Sequence, residues 1–201
     1  MSSTSFVWLS FACLALVSPA AAMTVVPPSF EELVEGSGEI ARARVISTEP
    51  FRTTSASGAS IIKTRVTWQV LRKLKGEHAE TLSLDFLGGR MGDEEIRVAG
   101  MPEFEIGQED YLFVEPDTRV FCPLYAAGHG RYRILAESRT GRAYVARANG
   151  APLIGVSQVA VPLSQNLLAP MAARSSDALS PEAFESAILE TLRDETPEHA
   201  K

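Results

Sequence analysis

Ile61-Ile62-Lys63-Thr64-Arg65-Val66-Thr67-Trp68-Gln69-Val70-Leu71 decides the fold class. On an extended chain Ile62, Thr64, Val66, Trp68 and Val70 share one face, and Lys63, Arg65, Thr67 and Gln69 share the other. Strict period two over that length describes a strand with one dry face and one wet face. Weaker copies of the rhythm flank it. Residues 81–86 turn Leu82, Leu84 and Phe86 inward, and residues 40–47 set Ala41, Ala43 and Val45 against Arg42 and Arg44. Asp110-Tyr111-Leu112-Phe113-Val114 is an apolar run that reads as a central strand. Residues 120–125 are expected to pair with 131–136 across Ala126-Ala127-Gly128-His129-Gly130, and 142–147 and 95–99 supply two further candidates. Residues 51–60, rich in Ser, Thr and Gly, read as a polar loop, while Gly88-Gly89 and Gly100-Met101-Pro102 read as breaks.

Six to eight short strands with no helical crossover between them predict a mainly β domain, a small antiparallel barrel or sandwich. Two helices frame it. Ser29 and Glu32 form a capping box ahead of Phe30, Leu33 and Val34. Ser180-Pro181-Glu182 opens a second, amphipathic helix carrying Phe184, Ala187, Ile188 and Leu192. Between them, residues 151–176 lose most of their charge and read as an extended segment over the domain surface.

Residues 1–22 place an apolar run before Ala20-Ala21-Ala22, the pattern of a secretory signal cut after Ala22. The run is shorter than the roughly 20 apolar residues of a membrane-spanning helix. The expected organisation is therefore a signal peptide at 1–22, a β-domain at 23–150, and an extended segment plus helix at 151–201. The protein is expected in the periplasm or secreted, with no transmembrane segment after cleavage. Cys122 is the one cysteine left in the processed chain, which excludes an internal disulfide. A net charge of −6 argues against a nucleic-acid partner.

Several turns and strand starts carry a family resemblance. Pro28-Ser29-Phe30-Glu31-Glu32-Leu33-Val34 leads into the strand around Val45, a Thr/Val-rich strand closes on Leu74-Lys75-Gly76, and Gly88-Gly89 precedes the stretch from Gly100-Met101-Pro102 to Tyr111-Leu112-Phe113. This layout resembles uncharacterised exported bacterial proteins with an OB-like, netrin-like barrel, the domain type of the tissue inhibitors of metalloproteinases. The resemblance spans residues 29–137. It implies an OB-like barrel and, as an alternative function, an inhibitor or partner of an exported protease. Those inhibitors reach the protease zinc with an N-terminal cysteine; here the expected mature start is Met23-Thr24-Val25.

The chemistry-bearing residues form no complete catalytic set. Cys122, with His129 seven residues on and Asp117 five back, offers a thiol–imidazole pair and a hydrolase as an alternative reading. Its apolar neighbours favour a core cysteine. The three histidines have no zinc-ligand spacing, and no metal or cofactor is expected. Asp93, Glu94, Glu95, Glu103, Glu105, Glu109 and Asp110 read as solvated turns. Arg42, Arg44, Lys63 and Arg65, joined by Arg131 and Arg133, fall on the wet strand face, and His129 sits in a glycine-flanked turn. Arg42, Arg44, Lys63, Arg65 and His129 make the candidate partner surface of an exported, non-enzymatic module that binds a protein or a cell-envelope component.

Overall fold

A computed structural model describes residues 26–77, 79–163 and 174–194. The expected signal peptide, His78, His199 and part of the segment after residue 150 lie outside those residues. Helix α1 (Phe30–Gly36) starts as its capping box predicts. The Ser29 amide donates to Glu32 Oε2 at 2.8 Å, and the Glu32 amide donates to Ser29 Oγ at 3.0 Å. Two donors that a helix start leaves open are thereby satisfied.

Strands β1 (Glu39–Thr54) and β2 (Ser60–Lys75) form a long antiparallel hairpin. The expected loop at 51–60 shrinks to residues 55–59. Phe51, Arg52 and Thr53 pair with Lys63, Ile62 and Ile61. Pairing with β2 overrides the weak strand preference of this Ser/Thr-rich stretch. The Arg65 guanidinium lies 5.0 Å above the Phe51 ring and adds a contact across the same ladder.

The chain continues through β3 (Thr81–Leu87), β4 (Gly89–Met91), β5 (Glu94–Ile96), β6 (Glu109–Val114), β7 (Arg131–Ala136), β8 (Ala143–Arg147) and helix α2 (Pro181–Asp194). Six strands build one antiparallel sheet in the order β3-β2-β1-β6-β7-β8, and β4 and β5 form a separate two-stranded sheet. The expected pairing of 120–125 with 131–136 does not form. β7 pairs with β6 and β8 instead. Residues 121–125 cross the end of β6, where Leu124 bridges Val114 and the Tyr125 amide donates to Phe113 O at 2.8 Å. The same segment reaches β3 through one bond, from the Leu87 amide to Phe121 O at 3.1 Å. One bond is not a ladder. Of the two expected architectures the sandwich-like one is found, and no closed barrel forms among the described residues.

Both faces of the central strands are dry. β6 sends Tyr111 and Phe113 to one side and Leu112 and Val114 to the other, which explains its unbroken apolar run. On the first side the two helices cover the sheet. Phe184 of α2 lies 5.2 Å from the Tyr111 ring and 5.0 Å from the Tyr132 ring. Glu185 of α2 is buried beneath the sheet arginines. It accepts from Tyr111 Oη at 2.9 Å and pairs with Arg72 at 2.7 Å and Arg42 at 3.8 Å. On the second side Val45, Val66, Trp68, Leu84, Phe86, Cys122 and Leu124 form another core. No helix among the described residues is long and apolar enough to cross a membrane.

Candidate functional site

The second face of the sheet is only partly filled. Where β3 ends, Gly88 and Gly89 adopt φ of +103° and +140°, backbone that a side chain resists. A Cβ on Gly89 would stand 2.3 Å from Thr64 Oγ1. These glycines let the chain leave β3, turn and run back across the sheet as the β4–β5 hairpin. The Gly88 amide donates to Ile62 O at 2.9 Å, and Thr64 Oγ1 donates to Gly88 O at 2.8 Å. An Arg52–Glu94 pair at 2.7 Å ties the hairpin to the far end of β1.

Residues 96–104 then form a strap that returns toward β6. Between this roof and the sheet lies a cavity of about 740 Å³. Val66, Phe86 and the two threonines Thr48 and Thr64 make its floor, and Ile96, Val98, Met101 and Phe104 contribute to its roof. Arg90, Glu95, Arg97 and Glu103 supply its charges. Arg97 is already paired with Glu95 at 2.6 Å. The volume falls within the range of small-molecule sites, and the lining mixes apolar side chains with two threonines and four charged groups.

A buried ion pair fixes the end of the strap. Arg131 donates to both oxygens of Asp110, at 2.9 and 3.3 Å. It also donates to Glu103 O at 2.6 Å and to Gln108 Oε1 at 2.8 Å, and its guanidinium lies 4.2 Å over the Phe104 ring. Phe104 in turn stands 5.0 Å from both Trp68 and Phe86. Burial pushes the Asp110 carboxyl up from its ordinary value, while the charge and hydrogen bonds of Arg131 pull it back. Both groups are almost fully enclosed, so the pair acts as a fixed strut for residues 103–104.

The sequence-predicted surface lies elsewhere. Arg42 and Arg44 both bind Glu109, Arg42 through Nη2 at 3.0 Å, and Arg65 binds Asp85 at 2.7 Å. Lys63 faces Phe51 and Leu87 across its two ladders. These cations occupy the sheet face opposite the cavity, and the three arginines hold intramolecular carboxylates. Desolvation opposes ionisation of Glu109, but the two arginines hold its carboxyl below the usual value. Arg131 does not belong to that wet face. It points to the second core with Asp110.

His129 is not an open surface residue. It is 6% exposed, on a short turn in which Ala126 and Ala127 take left-handed φ of 48° and 54°. Burial first, then the nearby Arg147 charge, lowers its pKa to about 4, against a hydrogen bond with the Val159 backbone. Cys122 is 4% exposed in the second core, and burial pushes its thiol up to about 11. The core reading of this cysteine agrees with its position. No cluster of three or more His, Cys, Asp or Glu able to hold a metal occurs among the described residues.

Sequence reasoning identified the breaks at Gly88-Gly89 and Gly100-Met101-Pro102 but not the space between them; residues 95–99, expected as a strand, pair only through 94–96 and continue as the strap. The available signal was Thr48 and Thr64, two small polar residues on the inward face of β1 and β2. Comparison of the sequence with known protein families and with curated proteins finds no match.

Proposed function

We propose that this chain is an exported, non-enzymatic binding module and that the chamber between the sheet and the 89–104 roof receives an apolar group of a cell-envelope partner. The observation that supports this most is the chamber itself. It is a solvent-open cleft of about 740 Å³ in which Val66, Phe86, Ile96 and Val98 stand beside Thr48, Thr64 and four charged side chains, a size and mixed lining that suit a small-molecule site. The roof, built from glycine turns and a buried strut, supports the space rather than collapsing into it.

The other readings have weaker support. A hydrolase would use Cys122, but a thiol near 11 carries almost no thiolate at neutral pH. Inhibition of an exported protease has no comparable feature among the described residues.

A neutral fluorescent probe, N-phenyl-1-naphthylamine, tests the reading. The protein binds it at one saturable site. Thr48→Trp, which fills the floor from an inward strand position, weakens that binding at least tenfold while the unfolding midpoint stays within a few degrees. Absence of saturable binding to the unsubstituted protein, or undiminished binding to a folded Thr48→Trp variant, overturns it.

A further inference from the structure

A second cavity of about 380 Å³ adjoins the chamber. Gly100, Met101, Pro102 and Glu103 line both, so the strap is their common wall. Arg131 and Arg133 also line the second cavity, with Gly128, Ala148 and Leu163. Arg131 and Arg133 alternate along β7 with Tyr132, whose ring belongs to the helix-covered core. Both arginines therefore lie on the chamber side of the sheet.

Their situations differ. Arg131 is fully engaged by Asp110, Gln108 and Glu103 O. Arg133 stands opposite Asp110 in the β6–β7 register and feels its charge, while the hydrogen bonds of Asp110 go to Arg131. Arg133 is half-buried, and its Nε is the nitrogen left shielded without an acceptor, an uncommon state for a donor that has lost its water.

Resting on the proposed binding function, we infer that the two cavities form one bipartite site, in which Arg133 takes the carboxylate of a free amphiphile and the chamber takes its apolar chain. An acceptor anion supplies what Arg133 Nε lacks. The rim narrows the class of anion. Glu103 and Glu105 are exposed at the mouth, and Glu105 is held by Gln108 Nε2 at 3.0 Å. Two carboxylates there repel any anion, and a doubly charged phosphate or a polyanion about twice as strongly or more, which favours a singly charged head group. Arg133 offers the planar donor geometry that suits a carboxylate. The adjoining apolar chamber favours a chain of several carbons over a free small acid.

Calorimetric titration of the whole protein at neutral pH separates the parts. The ligands are decanoate, decanol and butyrate, against the unsubstituted protein, Arg133→Gln and Arg133→Lys. Decanoate binds at least tenfold tighter than decanol, and butyrate at least a hundredfold weaker than decanoate. Arg133→Gln removes the preference for decanoate over decanol and leaves decanol binding unchanged. Arg133→Lys restores part of it, which a merely structural role of Arg133 would not produce.

If decanol binds but decanoate is not preferred, or if Arg133→Gln keeps the preference, the head-group assignment fails and the chamber reading stands. If neither ligand binds, both fail. A decapeptide with an apolar free carboxy terminus that outcompetes decanoate also overturns the assignment to a free amphiphile.

Discussion

Acidification should expose the enclosed state of His129. The ring is 6% exposed, and burial together with the Arg147 charge lowers its pKa from 6.5 to about 4. The folded protein therefore keeps it neutral at pH values where the unfolded chain protonates it. Stability from this source is complete above about pH 6.5, declines as pH falls toward 4, and is constant below that. A gap of about 2.5 pKa units corresponds to roughly 3 kcal/mol. Urea unfolding of the protein and of His129→Gln at pH 7, 5.5 and 4 measures it. The glutamine variant takes up no proton, and every other titrating group, Glu109 and Asp110 included, is shared and cancels in the difference. Relative to the unsubstituted protein, His129→Gln should gain about 3 kcal/mol between pH 7 and pH 4, whatever its cost at pH 7. A difference constant within about 0.5 kcal/mol across that range refutes the reasoning, because the ring would then titrate as it does in the unfolded chain.

Two further outcomes follow from buried groups. Cys122, with its thiol near 11, should resist Ellman's reagent at pH 7.5 in the folded protein and react fully in guanidinium chloride; rapid labelling of the folded form would place it at the surface. Asp110→Asn should destabilise by about 3 kcal/mol, because it leaves the Arg131 charge buried without its counter-ion. The same substitution should shift Trp68 fluorescence, since Arg131 orients Phe104 against that indole. A stable variant with unchanged emission would mean the strap does not depend on the pair.

Local signals were legible in the sequence. The alternation at Ile62 to Val70, the Ser29–Glu32 box and the Ser180-Pro181 start are interactions between near neighbours, and each element forms where they predict it. The misplaced parts depend on partners distant in sequence. Residues 51–54 are strand because residues 60–63 lie beside them. Residues 121–125 lose their expected partner because Arg131 to Leu135 is already flanked by β6 and β8. Asp110 read as a member of a solvated acidic run, yet its partner Arg131 is brought to it by the pairing of β6 and β7, in which Leu112 faces Arg131 and Asp110 faces Arg133. The chamber was illegible for a related reason. Threonine on an inward face is compatible with a packed strand and with a cavity floor, and only the height of the roof separates the two.

The buried Arg131–Asp110 pair makes most sense as a device for holding that height. An enclosed ion pair contributes little net stability, because removing two charges from water costs about as much as their attraction returns. An apolar pair of similar volume would pack the second core as well. Yet an apolar residue at position 131 could not donate to Glu103 O and Gln108 Oε1 while stacking on Phe104. Those directional contacts fix where the strap leaves the sheet. The glycine turn at Gly88-Gly89 fixes where the opposite end of the roof begins, through Ile62 O and Thr64 Oγ1. Between these two anchored ends Met101 and Phe104 pack onto the second core, while Ile96 and Val98 line the cavity beside Val66 and Phe86. Polar anchors at both ends, Arg131 on Glu103 O and Thr64 Oγ1 on Gly88 O, hold the segment that roofs the cavity in place over the second core.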